Sequence, residues 1–164
     1  MTAAPPTDEG WFVLHDFRTV DWDAWRDAPD HERERAIEEG TQYLQRHEAV
    51  DDAGEGDSGV FSVLGHKADL LVLHFRPTLD QLSRAERRFE ATALASFTEQ
   101  TTSYVSVTEI SGYSTPEYFE DPEAVDEGTR RYMEGKLTPS IPDDGYVSFY
   151  PMTKRRGETY NWYD

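Results

Sequence analysis

The chain has 164 residues, enough for one ordinary domain or for one small domain plus part of another. Thirty-three acidic residues stand against sixteen lysines and arginines, a formal net charge of -17 spread along the whole length, which argues against a nucleic-acid partner except at a local basic patch. Cysteine is absent, so disulfides, thiolate catalysis and cysteine-ligated metals are excluded.

Hydrophobic residues make up 37%, adequate for a core, and only three lysines and one asparagine occur among the many acids. A solvated acidic surface of this kind suits a salt-rich cytoplasm, so a halophilic source is expected. The N-terminus lacks a basic stretch followed by an apolar one, and no later run approaches the roughly 18 apolar residues of a membrane span. The expectation is a soluble, cytoplasmic protein.

Residues 1–9 read as a flexible, proline-containing start, and residues 11–18 are aromatic and apolar enough for a strand. Pro29-Asp30 opens a charged segment in which Ala36, Ile37, Gly40 and Leu44 recur at helical spacing, predicting a helix from Asp30 to about His47. Residues 51–59 form an acidic, glycine-rich loop. Asp51, Asp52, Glu55 and Asp57 depart from the spacing of a twelve-residue calcium loop, so the loop reads as solvated. Residues 60–65 and 70–75 predict an antiparallel hairpin. Thr78 and Gln81 form a capping-box pattern, with Leu79, Leu82, Phe89, Ala93 and Phe97 on one face of a second helix. Residues 104–110 alternate as a fourth strand.

The order strand, helix, strand, strand, helix, strand is that of a ferredoxin-like βαββαβ unit. The fold class is therefore α+β, with helices on one face of a four-stranded antiparallel sheet spanning 10–111. Residues 112–144 read as a connector, where Pro116, Pro122, Pro139 and Pro142 flank a short helix around 124–134. Residues 145–164 would then begin a second, incomplete unit, with a strand at 146–150.

That last segment concentrates the chemistry. Tyr150 is followed by Lys154, Arg155 and Arg156 and then by Tyr160, Trp162 and Tyr163, a combination suited to a large, flat, anionic ligand. Between positions 130 and 156, six cations face three acids. From charge alone this reads first as a solvated patch pairing with acidic neighbours, and Tyr150 alone as a packing residue with its hydroxyl in water. No glycine-rich phosphate loop and no His-Glu-x-x-His zinc pattern occurs.

Tyr150-Pro151-Met152-Thr153-Lys154-Arg155-Arg156, with Asn161-Trp162-Tyr163 behind it, resembles the signature of the coproheme decarboxylases, the haem-synthesis branch of the chlorite-dismutase-like family. The run from Gly10 to Arg18 and the run from Leu73 to Leu79 resemble that family's opening strand and middle. The resemblance implies two ferredoxin-like units in tandem, of the dimeric α+β barrel type, and a homo-oligomeric ring, usually of five subunits. It also implies a porphyrin partner: iron-coproporphyrin III, at once substrate and cofactor, leading to haem b. Peroxide would oxidise the iron, Tyr150 would become a radical and take hydrogen from a propionate, and carbon dioxide would leave a vinyl group behind. Lys154 matches the lysine that contacts a reactive propionate, and Arg155 and Arg156 join the cofactor-binding set. Lys136 stands where relatives carry a propionate-binding arginine, keeping the charge but losing the bidentate fork.

None of the five histidines, His15, His31, His47, His66 and His74, follows the Asn-Trp-Tyr motif, where the family's proximal ligand is found. His15 and His74 lie on predicted strands and read as packed side chains, so no metal ligand is assigned. Two alternatives stay open: chlorite decomposition, whose distal arginine would fall beyond Asp164, and a non-catalytic assembly unit of the same family.

Overall fold

Alternation along the first strand decides the architecture. In β1 (Thr7–Val20) Val13 and Phe17 point to one side, Leu14, Asp16 and Arg18 to the other, and all five are buried, so the strand needs cover on both faces. The structure, a computed structural model, describes residues 7–112, 116–142 and 145–151. β1 lies at the centre of an antiparallel sheet. It pairs on one side with β3 (Leu70–Arg76), which carries the edge strand β2 (Asp57–Ser62). On its other side β1 pairs with β4 (Thr98–Gln100) near its C-terminal end and with β5 (Tyr104–Ser111) along the rest. The resulting order, β2-β3-β1 and then β4 or β5, is that of the ferredoxin-like unit. β5 reaches back to Glu9, Asp8 and Thr7 past an irregularity between Glu9 and Phe12, so β1 starts inside the segment expected to be flexible.

Among the described residues, five helices follow from local signals. α1 (Trp22–Asp27) is started by the Asp21 carboxylate, which accepts from the backbone of Asp23 and Ala24. α2 (Asp30–Glu48) matches the predicted helix. α3 (Leu79–Glu90) opens with the expected reciprocal capping box between Thr78 and Gln81. It stops short of Ala93 and Phe97, which occupy a separate 3-10 turn (Ala93–Phe97), because the Thr92 side chain accepts from Ala95 N and restarts the backbone. Phe97 then meets Trp25 edge-on at 5.1 Å. In the connector, α4 (Pro116–Glu120) precedes α5 (Glu127–Leu137). Residues 146–150 carry no ladder pairing, where the sequence predicts a strand.

The two sheet faces are covered differently. On the helical face Val72 packs with Tyr43, Phe89 and Ala95. On the opposite face Val13, Phe17, Leu71 and Leu73 form a second apolar cluster with Ala68, and Phe61, Val63, Phe75 and Ile141 pack against it. A third, smaller cluster of Ile110, Tyr118 and Met133 fastens α4 and α5 to the end of β5. The end of α5 crosses β1 at Gly10, where an added Cβ would lie 2.0 Å from Leu137 O and 2.5 Å from Thr108 Oγ1.

Beneath α2 the helical face is polar, unlike an ordinary core. His74, 1% exposed, lies 3.0 Å through Nε2 from the Tyr43 hydroxyl and 2.8 Å through Nδ1 from Ser58 Oγ. Burial first, and then the positive neighbours His47 and Arg76, push its imidazole down to about 3. His47 Nδ1 meets Tyr43 O at 2.7 Å, while its Nε2 is buried without a hydrogen-bond partner. Arg18 is equally buried, bonded to Asp16 at 2.8 Å and Glu90 at 2.6 Å and stacked 3.9 Å over Phe89.

Two outcomes follow from this packing. Gly10→Ala forces α5 off the sheet and lowers stability by about 1–3 kcal/mol, read as a fall in urea midpoint at unchanged slope. His74 binds a proton readily only when unfolded, so the stability it lends is present above pH 6.5 and is lost as the pH falls towards 3. Unfolding at pH 5 should therefore cost about 2 kcal/mol less than at pH 7 from this group. His74→Gln should flatten that dependence, and a wild-type profile already flat over this window would refute the assignment.

Candidate functional site

After α5 the chain turns onto the non-helical face of the sheet. Thr108 Oγ1 donates to Leu137 O at 2.8 Å, and further on Ile141 N donates to the Asp57 carboxylate at 2.6 Å. Phe149 then enters an aromatic group, its ring centroid 5.1 Å from Phe17, 5.3 Å from His15 and 5.8 Å from Tyr104. His15 and Tyr104 are a directly opposed cross-strand pair and stack at 4.4 Å. Desolvation lowers the pKa of the His15 imidazole and raises that of the Tyr104 phenol. An open groove of about 700 Å³ remains beside this group, walled by Phe17, Phe61, Val63, His66, Tyr146 and Phe149.

Tyr150 follows Phe149 and is 71% exposed, so its ring is not part of the core. Lys136, on the last turn of α5, holds its ammonium 4.5 Å over the Tyr132 ring and has no carboxylate partner among the described residues. No hydrogen bond or ring contact joins Lys136 to Tyr150. Arg130 and Arg131, counted in the cationic window, are engaged locally with Glu123 at 2.8 Å and Glu127 at 2.9 Å. Lys154, Arg155 and Arg156 lie outside the described residues, as do Tyr160, Trp162 and Tyr163.

An exposed phenol, an amine without an acidic partner among the described residues and apolar walls are each groups that an iron-porphyrin site uses, although neither Tyr150 nor Lys136 lines the groove. His47 and His74 are buried beneath α2, while the half-buried His15 bonds Ser106 Oγ at 3.0 Å through Nε2 and keeps Nδ1 buried within the aromatic group. Sequence reasoning missed Asp57, Ile141 and Phe149, which hold the tyrosine-bearing segment on the sheet. The one available signal was the spacing of Pro139 and Pro142, which leaves only Ser140 and Ile141 with backbone N–H groups over that stretch.

A family model described as chlorite dismutase matches residues 33–164. A provisionally named heme-binding protein of Haloquadratum walsbyi is 71% identical over 164 residues, covering 100% of this chain and 31% of its own length. A coproheme decarboxylase of Thermus thermophilus is 43% identical over 157 residues, covering 96% of this chain and 59% of its own. The solved structure of a heme-binding protein from Thermus thermophilus superposes with a TM-score of 0.80 at 40% identity, over 99% of this chain and 63% of that one. A chlorite dismutase variant from Candidatus Nitrospira defluvii, at 15% identity and a TM-score of 0.54, shares the fold. This chain thus spans less than two thirds of the length of these relatives. With the family model matched over most of its residues, the chain belongs to the chlorite dismutase family.

Proposed function

We propose that this chain is the tyrosine-bearing part of a coproheme decarboxylase, which uses hydrogen peroxide to convert propionates of iron-coproporphyrin III into the vinyl groups of haem b. The observation that carries the reading is the 43% identity to a relative of that name across 96% of the chain. Two features support it. Tyr150 is exposed, and its neighbour Phe149, 37% exposed, lays its ring 5.1 Å from Phe17, so the phenol stands free beside a residue in contact with the sheet. Lys136 offers a cation free of acidic partners among the described residues, in a protein otherwise rich in acid.

In this reading Lys136, Lys154, Arg155 and Arg156 bind propionates, and Lys154 orients the one that reacts. The bound iron porphyrin supplies the oxidising power of peroxide. Tyr150 loses its phenolic hydrogen and then recovers one from the propionate carbon nearest the ring. Loss of one further electron releases carbon dioxide and leaves the double bond. One propionate, one peroxide and one proton thus give one vinyl, one carbon dioxide and two waters. Holding the phenol against the propionate is the protein's own contribution. The protein acts as a homo-oligomer in a salt-rich cytoplasm.

The test uses the full-length protein with ferric coproporphyrin and peroxide in high salt. The expected product is a vinyl-bearing haem with loss of carbon dioxide by mass. Tyr150→Phe should retain porphyrin binding and lower turnover to about a thousandth or less, a barrier increase of about 4 kcal/mol. Turnover retained in that variant would remove Tyr150 from the mechanism.

A further inference from the structure

We infer that Asp57 is a positioning residue for the tyrosine segment: its carboxylate grips Ile141 and fixes where the chain to Tyr150 lies on the open face of the sheet. The inference rests on the role of Tyr150 proposed above, but its geometry stands separately. Past Thr138, whose amide still belongs to the end of α5, the bond from Ile141 N to Asp57 Oδ2 at 2.6 Å is the one hydrogen bond that ties the described residues of the connector to the sheet. Pro139 and Pro142 bracket Ile141 and have no N–H to offer, so this donor has no near substitute that keeps the register. The Ile141 side chain packs against the Val13 and Phe17 cluster, its Cδ1 3.2 Å from where a Cβ on Gly59 would stand. Gly59 therefore leaves the space that Ile141 fills.

Asp57 is itself aimed. Its Oδ1 accepts from Ser58 N at 2.7 Å, and its backbone carbonyl accepts from Arg76 Nη1 at 2.8 Å. The carboxylate thus sits at the start of the edge strand β2, on a residue whose backbone carbonyl is held by a buried guanidinium. A carboxylate accepting a backbone N–H makes a short, directional, charge-assisted bond. The Phe149 contacts, by contrast, are between tilted rings at 5.1 to 5.8 Å, which hold the segment down without defining its direction. The position of Ile141 on the sheet therefore comes from Asp57, upstream of a reacting phenol whose placement is sensitive to shifts of about 1 Å, which can cost about 100-fold in rate.

Asp57→Ala, Asp57→Asn and Tyr150→Phe, made in the full-length protein, test this with two readouts. The first is amide hydrogen exchange. In Asp57→Ala the Ile141 amide should exchange at least about tenfold faster while the amides of β1 and β3 keep their wild-type protection. The second is kinetic. Asp57→Ala should lower kcat by about 10- to 100-fold with the dissociation constant for coproporphyrin unchanged. Asp57→Asn should recover only part of the lost kcat, because its single carboxamide oxygen can accept from Ile141 N only by giving up Ser58 N. If the alanine variant fails to fold, Asp57→Ser carries the same expectation, its hydroxyl being one bond too short to reach.

Wild-type exchange at Ile141 in Asp57→Ala, an equal loss of protection across the whole sheet, or an unchanged kcat would each overturn the inference. Tyr150→Phe separates the two claims. Turnover retained there defeats the tyrosine reading, whereas the exchange of Ile141 judges the hitch on its own.

Discussion

Arg76 is the joint on which the rest of the unit depends. A buried guanidinium is tolerated only when its charge is matched and all five of its N–H groups find acceptors. Here each does: Nε and Nη2 reach the two Asp52 oxygens at 3.1 and 2.7 Å, Nη2 also reaches His47 O at 3.3 Å, and Nη1 divides between Asp57 O and Phe75 O at 2.8 Å. One side chain thereby binds the end of α2, the loop that follows, the first residue of β2 and its own strand. Burial raises the Asp52 pKa, but the guanidinium outweighs it and holds the carboxyl below its usual range. The approach is close enough to require Gly56, at φ +137°, since a Cβ there would stand 2.3 Å from Phe75 O and 2.8 Å from Arg76 Nη1.

Ionic strength divides the charged pairs into two groups. Pairs along the helix surfaces, such as Arg35 with Glu39 and Arg131 with Glu127, are open to water and are weakened by salt. Arg76 with Asp52, and Arg18 with Asp16, have side chains no more than 3% exposed and are screened far less. In concentrated salt, which both the acidic surface and the haloarchaeal relatives suggest, the buried pairs keep their geometry when the surface pairs contribute little. The fold places its polar joints where the solvent cannot dilute them.

Much of this unit was legible in the sequence because its signals are local. Val13, Phe17, Leu14 and Asp16 alternate as a strand must, Ala36, Gly40 and Leu44 repeat as a helix must, and Thr78 with Gln81 caps α3 as the pattern predicts. The misses are long-range. Asp52 sits in a loop that reads as solvated, yet its partner is 24 residues away on β3. His74 and Tyr43 meet across 31 residues and look in sequence like an ordinary strand histidine and an ordinary helix tyrosine. Residues 146–150 have the composition of a strand, but a strand requires a neighbour to pair with, and periodicity does not reveal whether one is present. Of the candidate site, Tyr150 and Lys136 rest on the resemblance alone, whereas the contacts that hold the segment emerged only from the folded arrangement.

The acidity of the chain also bears on how such a site would hold an anionic ligand. With a net charge of -17 the protein repels anions at long range in dilute buffer, but a Debye length of about 3 Å at 1 M salt removes that repulsion together with any steering. What survives is contact: an ammonium such as that of Lys136, which meets no acid among the described residues, and apolar surface such as the walls formed by Phe17, Phe61 and Phe149. Salts excluded from the protein surface strengthen apolar burial as they weaken ion pairing. A flat macrocycle with charged groups at its rim suits that regime, because its apolar area can dominate affinity while a few short-range cations set orientation. Arg130 and Arg131, by contrast, are already paired with Glu123 and Glu127, which leaves Lys136 as the cation of α5 that meets no acid among the described residues.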